Sequence, residues 1–287
     1  MSYNTIFDSA DDFRGYADGI QADTTLRQLL PSIRATALEM QKIITSEAFA
    51  AIAEKTAPEG VESSVMEEGL DLLKSALASG ALYRYAIFAA VKKNGSDASL
   101  YKYQHEEMKD VWVENYWKAM DALLDFLDAN GTIGGWSSSA ACTDREALPV
   151  KNAEQFDRYF AIGRSSLFYQ KVLYLIRETW PGIAARIRGF EKDDKVMDLA
   201  RRALCYSVLA KVVVHFDITE FPRSIRFDYN HEYTRGSSVQ DRDRLHNYFS
   251  QAAGSALAGI DQAIRAASDA DAEADSNLET DKFFKIL

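Results

Sequence analysis

The chain has 287 residues and a formal charge of −10, with 47% hydrophobic and 26% charged residues. That length suits one large domain or two ordinary ones, burying roughly three quarters of the unfolded surface without staples. The acidic excess excludes a general nucleic-acid or anionic-membrane binder, because both need basic fields. With only 15 Gly and 5 Pro among abundant Ala, Leu, Glu and Lys, helices are favoured over a sandwich or barrel.

Ser9-Ala-Asp-Asp12 reads as a helix start, a hydroxyl cap with a carboxylate three residues on. Asn152-Ala-Glu-Gln155 repeats the device, and residues 9–37 and 152–180 align without a gap at an offset of 143. Ala10, Phe13, Tyr16, Ile33, Arg34 and Thr36 meet Ala153, Phe156, Tyr159, Ile176, Arg177 and Thr179. Each start leads to a short helix, a break near Gly19 or Gly163, and a longer helix running to about Ala53 or Ile187. Pro31 and Pro181 are expected to kink or restart those helices.

A helix over about Glu62–Val91 follows, echoed by about Asp194–Phe216 at an offset of 131, with Leu73 meeting Leu204. Tyr103–Ala129 has the clearest period. Met108, Val111, Trp112, Tyr116, Met120, Leu123, Leu124 and Leu127 step by three and four, and Asn130-Gly131 reads as a left-handed stop. Val239–Ala267 repeats this phase at an offset of 137 through Leu245, Phe249, Ala256, Leu257, Ile260 and Ile264. Offsets that change only across loops are what an internal repeat with loop insertions produces.

The expected fold is therefore all-α, with two duplicated multi-helix halves packed into one body. Residues 1–133 form the first repeat, 134–150 a linker with Gly134-Gly135, and 151–267 the second repeat. Alternating apolar and polar residues near 217–238 predict a small β-hairpin inserted in the second half. Residues 268–287 read as an acidic flexible tail with an apolar end, Phe283-Phe284-Lys285-Ile286-Leu287.

Catalytic chemistry finds no local pattern. His105-Glu106 opens a zinc-protease motif, but position 109 is Lys. Asp243-Arg-Leu-His246 only approximates a di-metal helix motif, and a solvated helix face explains it as well. His215-Phe-Asp217 ends an apolar helix, where a histidine commonly serves the terminal carbonyls. Cys142 and Cys205 lack a neighbouring histidine and suit a reducing compartment. No catalytic residue, metal ligand or cofactor is expected.

Two stretches carry a binding expectation. In the first, Arg223, Arg226 and Arg235 alternate with Phe227 and Tyr229, the residue types enriched at interface hot spots; equally, these aromatics close the hairpin onto the bundle. In the second, Phe283, Phe284, Ile286 and Leu287 follow an acidic tether, as in a docking peptide that reaches its own body or a neighbour. Protein partners or self-association are expected, without a membrane partner. No run of about 18 apolar residues and no signal-peptide pattern occurs, so a cytoplasmic location is expected.

At Tyr101-Lys-Tyr-Gln104, the long helix after it, and Phe221-Pro-Arg-Ser-Ile-Arg-Phe-Asp-Tyr229, the chain resembles a family of uncharacterised, mostly helical proteins of about 300 residues. They are encoded by gut-type anaerobic bacteria and their prophages, among virion-structure genes. The resemblance implies a prophage head–tail connector or neck component, cytoplasmic or virion-associated, and carries over no functional residue. Together these readings predict a non-enzymatic structural or assembly protein working as an oligomer. The alternative is an enzyme or small-ligand binder with a cleft between the halves, using His105, or His246 with Asp243.

Overall fold

A computed structural model describes the backbone of residues 6–17, 23–93, 102–217, 220–222, 224–225 and 238–283. Side chains are described for 6–17, 23–85, 110–217, 220–222, 224–225 and 242–269. The protein is all-helical, and no strand occurs among the described residues. Two compact units form, one from residues 1–147 with 163–171, the other from 148–162 with 172–287.

The first unit contains α1 (Ala10–Arg14), α2 (Leu26–Ile44), α3 (Ser46–Ala53), α4 (Ser63–Lys93), α5 (Lys102–Ala129) and α6 (Ala140–Glu146). α1 starts as the sequence predicts. Ser9 Oγ accepts from Asp12 N at 3.0 Å, and the Asp12 carboxylate accepts from Asp8 N at 3.0 Å. α2 opens on a capping box between Thr25 and Gln28. Pro31 does not interrupt it, and the carbonyl its ring leaves unbonded belongs to Arg27, where exposure lets water take the donor's place.

α2 and α3 are separate helices, not one running to Ala53. Thr45 divides them at φ 70°, and its Oγ1 accepts from Ala48 N at 3.2 Å to cap α3. A β-branched residue in that region is strained, and the cap to Ala48 N is the contact shown for it. Residues 133–138 form a 3-10 turn with Ile133 and Trp136 buried. The positive φ falls at Gly134 (54°) and Gly135 (68°), not at Gly131. A Cβ on Gly134 would sit 2.4 Å from Ala48 Cα and 2.5 Å from Ala48 N. The glycine is thus needed for backbone-to-backbone packing on α3. Residues 134–147, read as a link in the sequence, are built into the first unit.

The second unit contains α7 (Ala153–Asp157), the larger part of α8 (Ser166–Arg186), α9 (Asp194–His215) and α10 (Ser238–Phe283). α7 starts on Asn152, whose Oδ1 accepts from Gln155 N at 2.9 Å, while Gln155 Oε1 accepts from Lys151 N at 2.8 Å. Ser9 and Asn152 share φ −154° and ψ 173°, so the two starts are built alike. Pro181 lies within α8 without ending it, and Arg177, four residues back, is exposed.

α9 is central. Val196, Ala200, Ala203, Leu204, Val208, Leu209, Val212 and Val213 are buried along it. α10 lays Phe249, Ala253, Ala256, Ile260 and Ala263 against it, a helical stripe of the predicted phase. The helix does not stop at Ala267 but runs to Phe283. No Gly or Pro follows Gly259, so nothing in the chain breaks it.

The expected hairpin is absent where residues 217–238 are described. Glu220 N bonds to Asp217 O and Ile225 N to Pro222 O, each closing a four-residue turn. Phe221, Pro222 and Ile225 are buried, and Ser224 Oγ donates to Ala161 O at 3.0 Å. The remaining residues of that stretch, 218–219, 223 and 226–237, lie outside the described ones.

Candidate functional site

Carboxylates of the first unit serve as fasteners. Asp128 accepts from Trp136 Nε1 at 2.7 Å and from both terminal nitrogens of Arg145 at 3.0 and 2.7 Å. This ties the end of α5 to the 3-10 turn and α6. Asp12 bonds Lys74 of α4 at 2.8 Å, and the ammonium lies 5.6 Å from the Phe7 ring centre and 5.5 Å from that of Tyr16. Burial pushes the Asp12 carboxyl up, but the hydrogen bond and charge of Lys74 prevail and hold it below the usual range. Asp121 of α5 accepts from Leu167 N at 2.7 Å and Ser165 Oγ at 2.9 Å, and Asp125 accepts from Ser166 Oγ at 2.6 Å. One turn of α5 thereby caps the start of α8. Burial raises Asp121 from 3.8 to about 6 against those hydrogen bonds.

Among the described residues the metal reading at Asp243 and His246 does not assemble. Nδ1 of His246 lies 3.0 Å from Ala210 O, so that nitrogen donates to α9, while Nε2 faces Ser250 Oγ at 3.4 Å. Among the described residues no group of three His, Cys, Asp or Glu side chains is placed to hold a metal. Both cysteines are buried, and burial raises both thiols, Cys205 most strongly. The side chain of His105 lies outside the described set.

The proposed binding residues fall mostly outside it too. Arg223, Arg226, Phe227, Tyr229, Arg235, Phe284, Ile286 and Leu287 are not among the described residues; Phe283 is described as the last residue of α10, by its backbone.

What the sequence reading missed is a surface on the second unit where α9 and α10 run antiparallel. Arg242 Nη2 donates to Phe216 O at 3.2 Å, His246 meets Ala210 O, and Gly259 packs on Leu199. On this pair Tyr206 of α9 lies 6.4 Å from Tyr248 of α10 by ring centres. Phe160, after α7, lies 6.2 Å from Tyr206 and 5.1 Å from buried Phe249. Tyr248 is 54% exposed, Tyr206 and Phe160 are half-buried, and Arg202 and Arg244 are exposed. Burial and the neighbouring Tyr248 hydroxyl push the Tyr206 phenol up. The signal was present in the chain: Arg202-x-x-x-Tyr206 and Arg244-x-x-x-Tyr248 each place both residues on one helical face.

The same pairing shows where α10 leaves α9. The three contacts join residues whose numbers sum to 456–458, so Asp194, the first of α9, stands opposite residues 262–264. About twenty residues of α10, some 30 Å at 1.5 Å each, continue past that point. Ala263 is the last buried residue among the described side chains. At the junction Arg186 Nε and Nη2 donate to Asp261 at 2.8 and 2.6 Å, and the guanidinium keeps that carboxyl below its ordinary range.

No helix among the described residues is long and apolar enough to cross a membrane. No protein-family model, no curated protein and no solved structure matches the chain.

Proposed function

We propose that the protein is a non-enzymatic structural or assembly protein that works by contact between polypeptides. The observation that carries this reading is α10, which runs on to Phe283 after its buried stripe on α9 has ended. A helix that runs on past the end of its packing partner, toward a sequence with large apolar residues at 283–287, has the form of an arm presented to a partner. The resemblance noted above adds the context of a prophage head–tail connector or neck. Descent from a doubled helical unit, supported by the matched caps at Ser9 and Asn152, suits a subunit offering two related faces.

Lys282 and Lys285 report on the arm. Amine cross-linking in cells that make the protein is expected to join one or both to a second polypeptide, read by peptide mass spectrometry. Cross-links confined to their own chain would overturn the reading. The virion context has a separate check, recovery of the chain in purified phage particles after prophage induction. Its absence there removes the neck assignment and leaves the assembly role to the cross-links.

A further inference from the structure

We propose that the distal part of α10 of one copy docks on the Arg202–Tyr206–Arg244–Tyr248 surface of a second copy of this chain. The inference rests on the assembly reading and names the partner of its arm.

Three observations carry it. The first is chemical fit. Residues 269–281 hold Asp269, Asp271, Glu273, Asp275, Glu279 and Asp281, followed by Lys282, Phe283 and Phe284. The surface offers two exposed arginines around aromatic rings in edge-to-face contact, the residue types that dominate hot spots and that take carboxylates and phenyl rings together. Asp198 is engaged by the Tyr159 hydroxyl at 3.0 Å, and Asp243 lies about 140° around α10 from Tyr248 at 3.6 residues per turn.

The second observation is reach. Tyr248 and Phe283 belong to one continuous helix and stand about 50 Å apart along it. The arm cannot meet the surface of its own chain while that helix is intact, so a second copy must supply it. The third is that each chain carries both halves of the contact. Two copies can then close it reciprocally, or successive copies can repeat it head to tail.

A charge exchange in the full-length chain tests this. At tens of micromolar and low salt, light scattering is expected to show a mass above the monomer that falls as salt is raised. R202E/R244E places acids opposite the acidic arm, and D271K/D275K places lysines opposite the arginines. Each variant alone is expected to associate at least about tenfold more weakly, with its helical circular dichroism unchanged. An equimolar mixture of the two restores opposite charges at both contacts and is expected to recover the mass. A monomeric wild type, unchanged association in both variants, or a mixture that fails to recover each overturns the proposal. If the wild type is monomeric while Lys282 or Lys285 cross-links to a different protein, the assembly reading stands and the second copy is excluded; cross-links to no other polypeptide remove both.

Discussion

The start of α8 and the far end of α10 hold their helical form for different reasons. At Ser166–Leu167, carboxylates of another helix satisfy the first donors, Asp121 at 2.7 Å from Leu167 N and Asp125 at 2.6 Å from Ser166 Oγ. Past residue 264, α10 has left α9 behind and continues on composition, with Ala270, Ala272 and Ala274 among charged residues and no breaker. One helix end is fixed by its neighbours and answers to burial and pH. The other has a sequence that favours helix without any break.

The largest expected effect lies in the supported part of α10. Phe249→Ala removes a fully buried ring and is expected to lower stability by about 3–5 kcal/mol, measured by chemical denaturation. A loss below 1 kcal/mol would mean that the α9–α10 seam is not the core of its unit.

At α8 the two substitutions of Asp121 should differ in sign. Asp121→Ala leaves Leu167 N without its acceptor and is expected to lose about 1–3 kcal/mol. Asp121→Asn keeps an acceptor oxygen and removes a buried charge. Because the folded carboxyl titrates at about 6 rather than 3.8, the folded chain holds more protons between those values. Stability from this group is therefore greatest in acid, declines as pH rises from about 4 to about 6, and is gone above that. The Asn variant is expected to lack this decline and to melt higher than wild type at pH 8. Equal melting temperatures there, or an unchanged pH slope, would contradict the buried-charge account.

The smallest effect on global stability is expected from Ala274→Pro. Proline breaks a helix interior at a local cost of about 3 kcal/mol, and position 274 lies beyond the stretch of α10 that pairs with α9. The melting temperature should stay within experimental error while the 222 nm ellipticity and self-association both decrease. A clear drop in melting temperature would show that the distal segment is packed.

Legibility in the sequence followed range. The caps at Ser9 and Asn152 were readable because donor and acceptor lie within four residues. The 103–129 helix was readable because its apolar residues keep one phase, and Met120, Leu123, Leu124 and Leu127 are indeed buried. Two glycines signal a loop locally, so the sequence reads Gly134-Gly135 as part of a link. The requirement at Gly134 comes from the backbone of Ala48, far off in the chain. The break at Thr45 has no local signal, since a threonine is not a residue that favours φ 70°. In α10 the apolar phase ends near Ala267, which reads as a helix end, yet the chain holds no breaker beyond it and the helix runs on. The Arg–Tyr pairs went unnoticed because each is commonplace alone; the antiparallel register of α9 and α10 makes them one surface.

An unbroken α10 also works as a ruler. The number of residues between Tyr248 and Phe283 sets both how far apart the two ends lie and which way each faces. Seven extra residues, such as a heptad of Ala, Glu and Lys inserted after Ala270, would lengthen it by about 10 Å while returning the tip to nearly its original heading. Two extra residues would add only about 3 Å but swing the tip more than halfway round. Spacing and heading are thereby separately adjustable through a single stretch of chain, and in any array of these subunits that stretch fixes the repeat distance.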